Sequence, residues 1–237
     1  MISKQMIRMM VVVFITQLIA LGSAYSETWK VASLDWQPYS GSDLANQGNS
    51  VEKLKKLLKS EGIDLVVEFF PWLRAQKNAK TKDYIGYFPA WPEEVKEGFV
   101  ASPAVDYSFL GVLSYKGSGV TWGNIDSVFS HNKIGVVQTY VYPKDIDAAI
   151  KKYPKSIDFS PDEVALVKKT SLKRIAIAIT DPKVMFYNAE KFGLKNIVVI
   201  NNSIEKKDLV IALRNDEENK KRIELIKHII EKNAKQK

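Results

Sequence analysis

Residues 83–105 read DYIGYFPAWPEEVKEGFVASPAV, and this stretch decides how the whole chain is interpreted. A short apolar strand runs into an aromatic loop broken by prolines, then into a charged turn, and Ser102-Pro103 restarts an extended segment. Ligands of α/β proteins bind beyond the carboxyl ends of the strands. Aromatic side chains beside the pair Glu93-Glu94 at the end of a buried strand therefore indicate a ligand site.

Strand and helix patterns alternate on both sides of this stretch. Alternation of apolar and polar residues predicts strands, and apolar residues three and four apart predict helices. The first series has predicted strands at 28–33, 63–70 and 84–88 and helices at 50–58 and 71–80. The second series has predicted strands at 133–138, 157–159, 174–180 and 196–200 and helices at 144–152, 161–169, 182–192 and 216–232. This order predicts parallel strands joined by right-handed crossovers.

Two extended segments connect the two series. Residues 108–115 leave the first series and residues 207–213 return to it. We therefore expect an α/β protein of two lobes, each a mostly parallel sheet flanked by helices, with a cleft between them. Lobe 1 is expected to comprise 27–112 and 206–237, and lobe 2 to comprise 113–205.

The first 26 residues have the pattern of a secretory signal peptide. Lys4 and Arg8 precede an apolar run that ends in small residues at Gly22-Ser23-Ala24. The rival interpretation is a membrane anchor, but the run is shorter than the roughly 20 residues that a span requires. We expect cleavage of residues 1–26 and location in a bacterial periplasm.

Composition excludes several function classes. The chain has 35 Lys and Arg against 27 Asp and Glu, and it lacks cysteine. Disulfides, thiol catalysis and thiolate metal sites are therefore excluded. The basic residues are scattered among acidic ones, so we expect no nucleic-acid partner. His131 and His228 lack metal-ligand spacing, and we expect no metal and no cofactor.

Five segments in order resemble the polar amino-acid-binding family of periplasmic solute-binding proteins. They are VASLDWQPYS (31–40), FPWLRA (70–75), FVASPA (99–104), IGVVQT (134–139) and KRIAIAITD (173–181). The Pro-Trp-x-Arg-Ala element is typical of a poorly characterised branch. The resemblance implies a type 2 periplasmic binding fold, in which two lobes close on a solute that is delivered to an ABC-type permease.

The resemblance also implies binding residues. Asp181 stands where the family holds the ligand ammonium, and Gln138-Thr139-Tyr140 replace a Gly-Thr turn. The segment Trp91-Pro92-Glu93-Glu94 stands where an arginine for the ligand carboxylate is expected. An ordinary amino-acid ligand is thereby placed in doubt, and the expected ligand is an amino acid or a related amine. Glu94 either faces the cleft, where it favours a cationic group, or is a solvated surface residue.

Further candidate residues follow the predicted strands of lobe 1. Aromatic side chains there either stack on a ligand or pack under the loops, and Arg74 either binds ligand or pairs with a surface acid. The candidates of this group are Trp36, Tyr39, Trp72, Arg74, Tyr87, Phe88 and Trp91.

Two other functions remain open. A sensory protein would pass the closed state to a membrane receptor, and a dehydratase-like enzyme would need an acid/base pair in the cleft. The leading expectation is a monomeric, non-enzymatic binding protein whose partners are a small polar solute and a membrane permease or receptor.

Overall fold

The structure, a computed structural model, describes residues 27–234. The predicted signal peptide lies outside the described residues. The strands are β1 Glu27–Ser33, β2 Ile63–Phe69, β3 Gly86–Ala90, β4 Phe99–Ala101, β5 Asp106–Tyr115, β6 Ile134–Val137, β7 Ile157–Ser160, β8 Ile177–Thr180 and β9 Ile197–Arg214. The α-helices are α1 Asn49–Lys59, α2 Trp72–Asn78, α3 Ile125–His131, α4 Lys144–Lys152, α5 Glu163–Ser171, α6 Pro182–Lys191 and α7 Lys220–Ala234.

The strands form one continuous sheet with two parallel halves. The order is β2-β1-β3-β9-β5-β8-β6-β7, and β4 also pairs with β9. Strands β2, β1 and β3 are mutually parallel and form the first sheet half. Strands β8, β6 and β7 are parallel and form the second sheet half. The α/β fold expected from the sequence, with two parallel-sheet units, is confirmed.

An antiparallel ribbon of β5 and β9 connects the two halves. Asp106 to Leu110 pair with Leu209 to Glu205, and the far ends of the two strands enter opposite halves. The sequence predicts two separate strands at 196–200 and 207–213, whereas β9 is one strand of 18 residues. At the polar run Asn201-Asn202-Ser203 the register with β5 shifts, because Leu110 pairs with Glu205 and Val112 with Asn201, and β9 continues through this irregularity.

Apolar faces of the helices cover each half. Val51, Leu54 and Leu58 of α1 are buried against the first half, as the predicted helical spacing requires. Along α7, the isoleucines at 223, 226, 229 and 230 pack into the same cluster. Within residues 27–234, no helix is both long and apolar enough to cross a bilayer.

Helix boundaries place the candidate site. The helix predicted at 161–169 begins at Glu163, because the Asp162 carboxylate caps it by accepting from the Ala165 N–H. The helix at 182–192 begins as expected at Pro182, with Asp181 as its N-cap. Strand β3 begins at Gly86, where a Cβ would lie 1.9 Å from a carbonyl oxygen of β9. This close approach requires glycine.

Candidate functional site

A cleft of about 780 Å³ lies between the two sheet halves. The first half contributes the turn after β1, from Leu34 to Gln37, and the start of α2. The second half contributes the turn after β6, the start of α5 and one face of α6. The carboxyl ends of β1 and β6 thus both face the cleft, as the position of ligand sites in α/β folds leads one to expect.

Aromatic side chains form one wall of the cleft. Trp36 stacks on Tyr39 at 4.6 Å between ring centroids and meets Trp91 edge-on at 6.2 Å. Tyr140, from the second half, meets Trp91 edge-on at 5.6 Å between ring centroids. The buried Nε1 of Trp36 has no hydrogen-bond partner among the described residues. This wall therefore offers π faces and one unused donor.

Behind this wall lies a second, small cavity of about 20 Å³, which is room for one water molecule. Trp36, Trp72 and Tyr140 line both spaces, whereas Trp91 and Glu94 line the small cavity. The small cavity and the cleft therefore share part of their lining.

Glu94 is buried at the end of the short 3-10 helix Pro92–Glu94, with 7% of its surface exposed. The indole Nε1–H of Trp72 donates to its Oε1 at 3.0 Å, and the backbone N–H of Trp91 donates to its Oε2 at 3.0 Å. Burial raises the pKa of Glu94 to about 7, although these two hydrogen bonds oppose the rise. The carboxyl group is thus held inside the protein next to the cleft, and is not a solvated residue.

Glu163, the first residue of α5, is a second buried carboxyl group on the cleft, with 7% of its surface exposed. The Thr180 hydroxyl donates to Oε1, whereas Oε2 has no partner in hydrogen-bonding geometry among the described residues. Burial raises the pKa of Glu163 to about 7, and the nearby hydroxyls of Thr180 and Tyr140 oppose the rise. Sequence reasoning missed this residue. Its position just after β7 could have identified it, because ligand sites lie at the carboxyl ends of parallel strands.

The charges that line the cleft are mostly negative. The acidic residues are Asp35, Asp43, Asp162 and Glu163, and the basic residue is Lys191. Lys191 Nζ already pairs with Asp43 Oδ2 at 3.1 Å, which bridges the two halves. Among residues 27–234, no group of three or more His, Cys, Asp or Glu side chains is placed to hold a metal ion.

Asp181 is buried beside β5, with both carboxylate oxygens occupied. Oδ1 accepts from the N–H groups of Lys183 and Val184 at 2.7 and 3.1 Å. Oδ2 accepts from the Tyr39 hydroxyl at 2.9 Å and from the Phe109 N–H at 3.0 Å. Burial raises the pKa of Asp181, and these hydrogen bonds oppose the rise. Asp181 lines a different cavity, of about 630 Å³, beside Phe109 and Lys183.

The remaining predicted residues are distributed unevenly. Thr139 lines the cleft. Gln138 is exposed, and its backbone N–H donates to Ser160 O. Arg74 is exposed on α2 and lines none of the three cavities described above. Tyr87 and Phe88 are fully buried in the first half, where the Tyr87 hydroxyl donates to the Glu94 carbonyl oxygen.

Solved structures with the same architecture come from binding and sensor proteins. A histidine kinase sensor domain with similarity to periplasmic binding proteins superposes with a TM-score of 0.74 at 16% identity, covering 88% of this chain and 91% of that one. An ancestral arginine-binding protein bound to arginine gives 0.71 at 13% identity, covering 88% and 92%. A histidine-bound substrate-binding protein of an ABC uptake transporter from Streptococcus pneumoniae gives 0.69 at 14% identity, covering 90% and 89%.

The chain has the periplasmic binding protein fold. The fold expectation drawn from the five sequence segments is therefore confirmed. No family model matches the sequence, and no curated protein matches it either. At 13–16% identity the similarity establishes the fold, and the ligand has to be argued from the cleft itself.

Proposed function

We propose that this protein binds a small polar solute, an amino acid or a related amine, in the cleft between its two sheet halves. The observation that carries the proposal is a roomy cleft whose walls hold buried polar atoms without partners, Trp36 Nε1 and Glu163 Oε2. Buried polar groups in native proteins are nearly always paired. A polar solute would supply the missing partners.

Binding is proposed to close two lobes, one of residues 27–112 and 206–237 and one of 113–205. The β5–β9 ribbon is the natural hinge, because few other segments pass between the halves. Two contacts join the halves across the gap in the present conformation, Tyr39 to Asp181 and Lys191 to Asp43. A solute that touches both halves would add to these contacts and favour the closed state.

The proposed location is the bacterial periplasm, reached through the signal peptide expected at residues 1–26. Delivery to an ABC-type permease is the proposed role, and the likeness to a solute-binding protein of an uptake transporter supports it. The likeness to a histidine kinase sensor domain supports the sensory alternative, in which the closed state acts on a membrane receptor. Crosslinking in cell envelopes, followed by identification of the captured membrane protein, distinguishes the two.

One observation favours catalysis as a second candidate function. Glu94 and Glu163 both have a pKa of about 7, the range that suits a general acid or base at neutral pH. Both carboxyl groups influence the pKa of Tyr140, so both lie near that side chain. A dehydratase-like reaction would consume a ligand that a binding protein returns unchanged.

A thermal-shift screen of amino acids, amines, organic acids and sugars tests the proposal. A ligand at 100 times its Kd stabilises the folded protein by about 2.7 kcal/mol, which raises the melting temperature by several degrees. Isothermal titration and mass spectrometry of the recovered compound then separate binding from turnover. Absence of any stabilising solute would contradict the proposal, and chemical conversion of the ligand would favour the enzyme.

A further inference from the structure

We infer that the cleft takes an organic cation with N–H donors, an amine or a guanidine, and that Glu163 is its acceptor. The ligand needs no carboxylate, because a hydroxyl, carbonyl or imidazole acceptor would suffice to pair with the Trp36 Nε1–H. This inference rests on the proposed solute-binding function, whose ligand class it narrows.

The position of Glu163 points to a ligand donor. Its side chain is 7% exposed, Thr180 satisfies Oε1, and Oε2 lacks a hydrogen-bonded partner among residues 27–234. A buried carboxylate oxygen without a donor is costly, and an ammonium or guanidinium N–H is the donor that best removes that cost. Glu163 and Tyr140 both line the cleft, and the Tyr140 hydroxyl lies near the Glu163 carboxyl group, so a cation bound there would also be close to that aromatic ring.

The charge of the walls favours the same ligand class. Three of the residues that line the cleft, Asp35, Asp162 and Glu163, are acidic. Lys191 is the basic residue of this lining, and it already forms an ion pair with Asp43. A ligand carboxylate would be desolvated among like charges, with no unpaired basic side chain from the lining residues to receive it.

The aromatic wall suits a cation as well. Trp36, Trp72 and Tyr140 line the cleft, and cations bind to the faces of such rings within about 6 Å. Trp91 already holds a protein cation this way, because Lys207 Nζ lies 5.5 Å from its ring centroid. The cleft volume of about 780 Å³ leaves room for an alkyl chain between the cationic group and the opposite wall.

Asp181 is a weaker acceptor for the ligand in this conformation. Each of its oxygens already accepts two hydrogen bonds from the protein, and it lines a different cavity. An incoming ammonium would have to displace the Tyr39 hydroxyl or the Phe109 N–H. At Glu163, an incoming N–H at Oε2 would compete with the nearby Tyr140 hydroxyl alone, since no donor among the described residues is in hydrogen-bonding geometry with that oxygen.

Matched pairs of ligands, each an amino acid and its decarboxylated amine, test the inference by isothermal titration on the whole protein. The pairs are arginine with agmatine, lysine with cadaverine, and histidine with histamine. We expect at least one amine to bind at least tenfold more tightly than its amino acid. Glu163→Gln should weaken that binding at least tenfold. Glu190→Gln, an exposed glutamate that lines none of the cavities, is the matched control and should leave affinity unchanged.

A second measurement on the unaltered protein can still refute the inference if Glu163→Gln does not fold. The charged form of Glu163 is the binding form, so affinity for a permanently protonated diamine should fall at least about tenfold from pH 7.5 to pH 5.5. The titratable groups that act on Glu163 include Tyr140, Asp162 and Asp181, and Tyr142 also interacts with it. Glu94 acts on the same two tyrosines and has a pKa of about 7, so the pH dependence is assigned to Glu163 only together with the Glu163→Gln result. The two tyrosines have pKa values well above this range.

The outcomes separate this inference from the proposed function. If none of the amines binds at least tenfold more tightly than its amino acid, or if an organic acid or a sugar is the ligand, the inference is wrong and the solute-binding function stands. Unchanged amine affinity in Glu163→Gln, or affinity independent of pH, also overturns it. If no solute of any class binds, the proposed function fails with it.

Discussion

Replacing Glu163 with glutamine should stabilise the protein, and only above the ordinary pKa of a glutamate. Burial raises the pKa of Glu163 from its ordinary value of 4.5 to about 7 in the folded protein. Between these values the folded state holds a proton that the unfolded chain has lost. The free energy of unfolding therefore falls as pH rises, and the contribution that protonated Glu163 makes at low pH is gone above about pH 7.

The size of this effect follows from the same two values. Each pKa unit corresponds to about 1.4 kcal/mol, so ionising Glu163 in the folded state costs about 3 kcal/mol. Glutamine keeps an oxygen that can accept from the Thr180 hydroxyl but carries no charge. We expect Glu163→Gln to be more stable than the unaltered protein by about 3 kcal/mol at pH 8 and by less than about 1 kcal/mol at pH 5.

Urea unfolding at pH 5 and pH 8, followed by circular dichroism, measures the difference directly. Glu190→Gln serves as the control, because that side chain is exposed and lines none of the three cavities. An equal stability change at both pH values, or a loss of stability at pH 8, would show that Glu163 is not a strained buried charge. The stabilised variant should also lose amine binding. Together the two results would show that the carboxylate whose ionisation destabilises the folded protein is the one that binds the ligand.

Three further predictions concern the framework around the cleft. Asp181→Ala removes the N-cap of α6 and two further hydrogen bonds, from Tyr39 and Phe109. It should lower the free energy of unfolding, measured by urea titration, by about 2 kcal/mol or more, and an unchanged value would contradict the capping role. Gly86→Ala forces a methyl group against the backbone of β9 and should lower the free energy of unfolding by about 3 kcal/mol or more. Gly123 has open space around it, so Gly123→Ala should lower the free energy of unfolding by less than about 1 kcal/mol. Similar losses in the two variants would refute the close approach at Gly86. Lys191→Ala removes the half-exposed ion pair with Asp43 and should change stability by less than about 1 kcal/mol, and a larger loss would mean that this bridge fixes the two halves.

The fold could be predicted from the sequence because its cause is local. Periodicity in 50–58 and 144–152 gives the helices α1 and α4, and apolar runs such as 174–180 give buried strands. Helix α3 was not predicted, because its seven residues bury only Val128 and Phe129 and therefore carry little periodic signal.

The site could be predicted only in part because burial of a charge depends on distant residues. Glu93 and Glu94 are identical in type and adjacent, yet Glu94 is buried and Glu93 is exposed and pairs with Lys207. The difference arises from the indole of Trp72, which lies 22 residues away and donates to Glu94. Glu163 was missed for the same reason, because its position at a helix start suits capping until Thr180 and the cleft are placed beside it.

The most direct test of the account is a crystal structure of the protein with the tightest-binding compound from the solute screen. The account predicts density in the cleft between Trp36 and Tyr140, with a cationic nitrogen within hydrogen-bonding distance of Glu163 Oε2 and both sheet halves in contact with the ligand. A compound found in the cavity beside Asp181 and Lys183, or on the outer surface, would contradict the assignment of the cleft as the binding site.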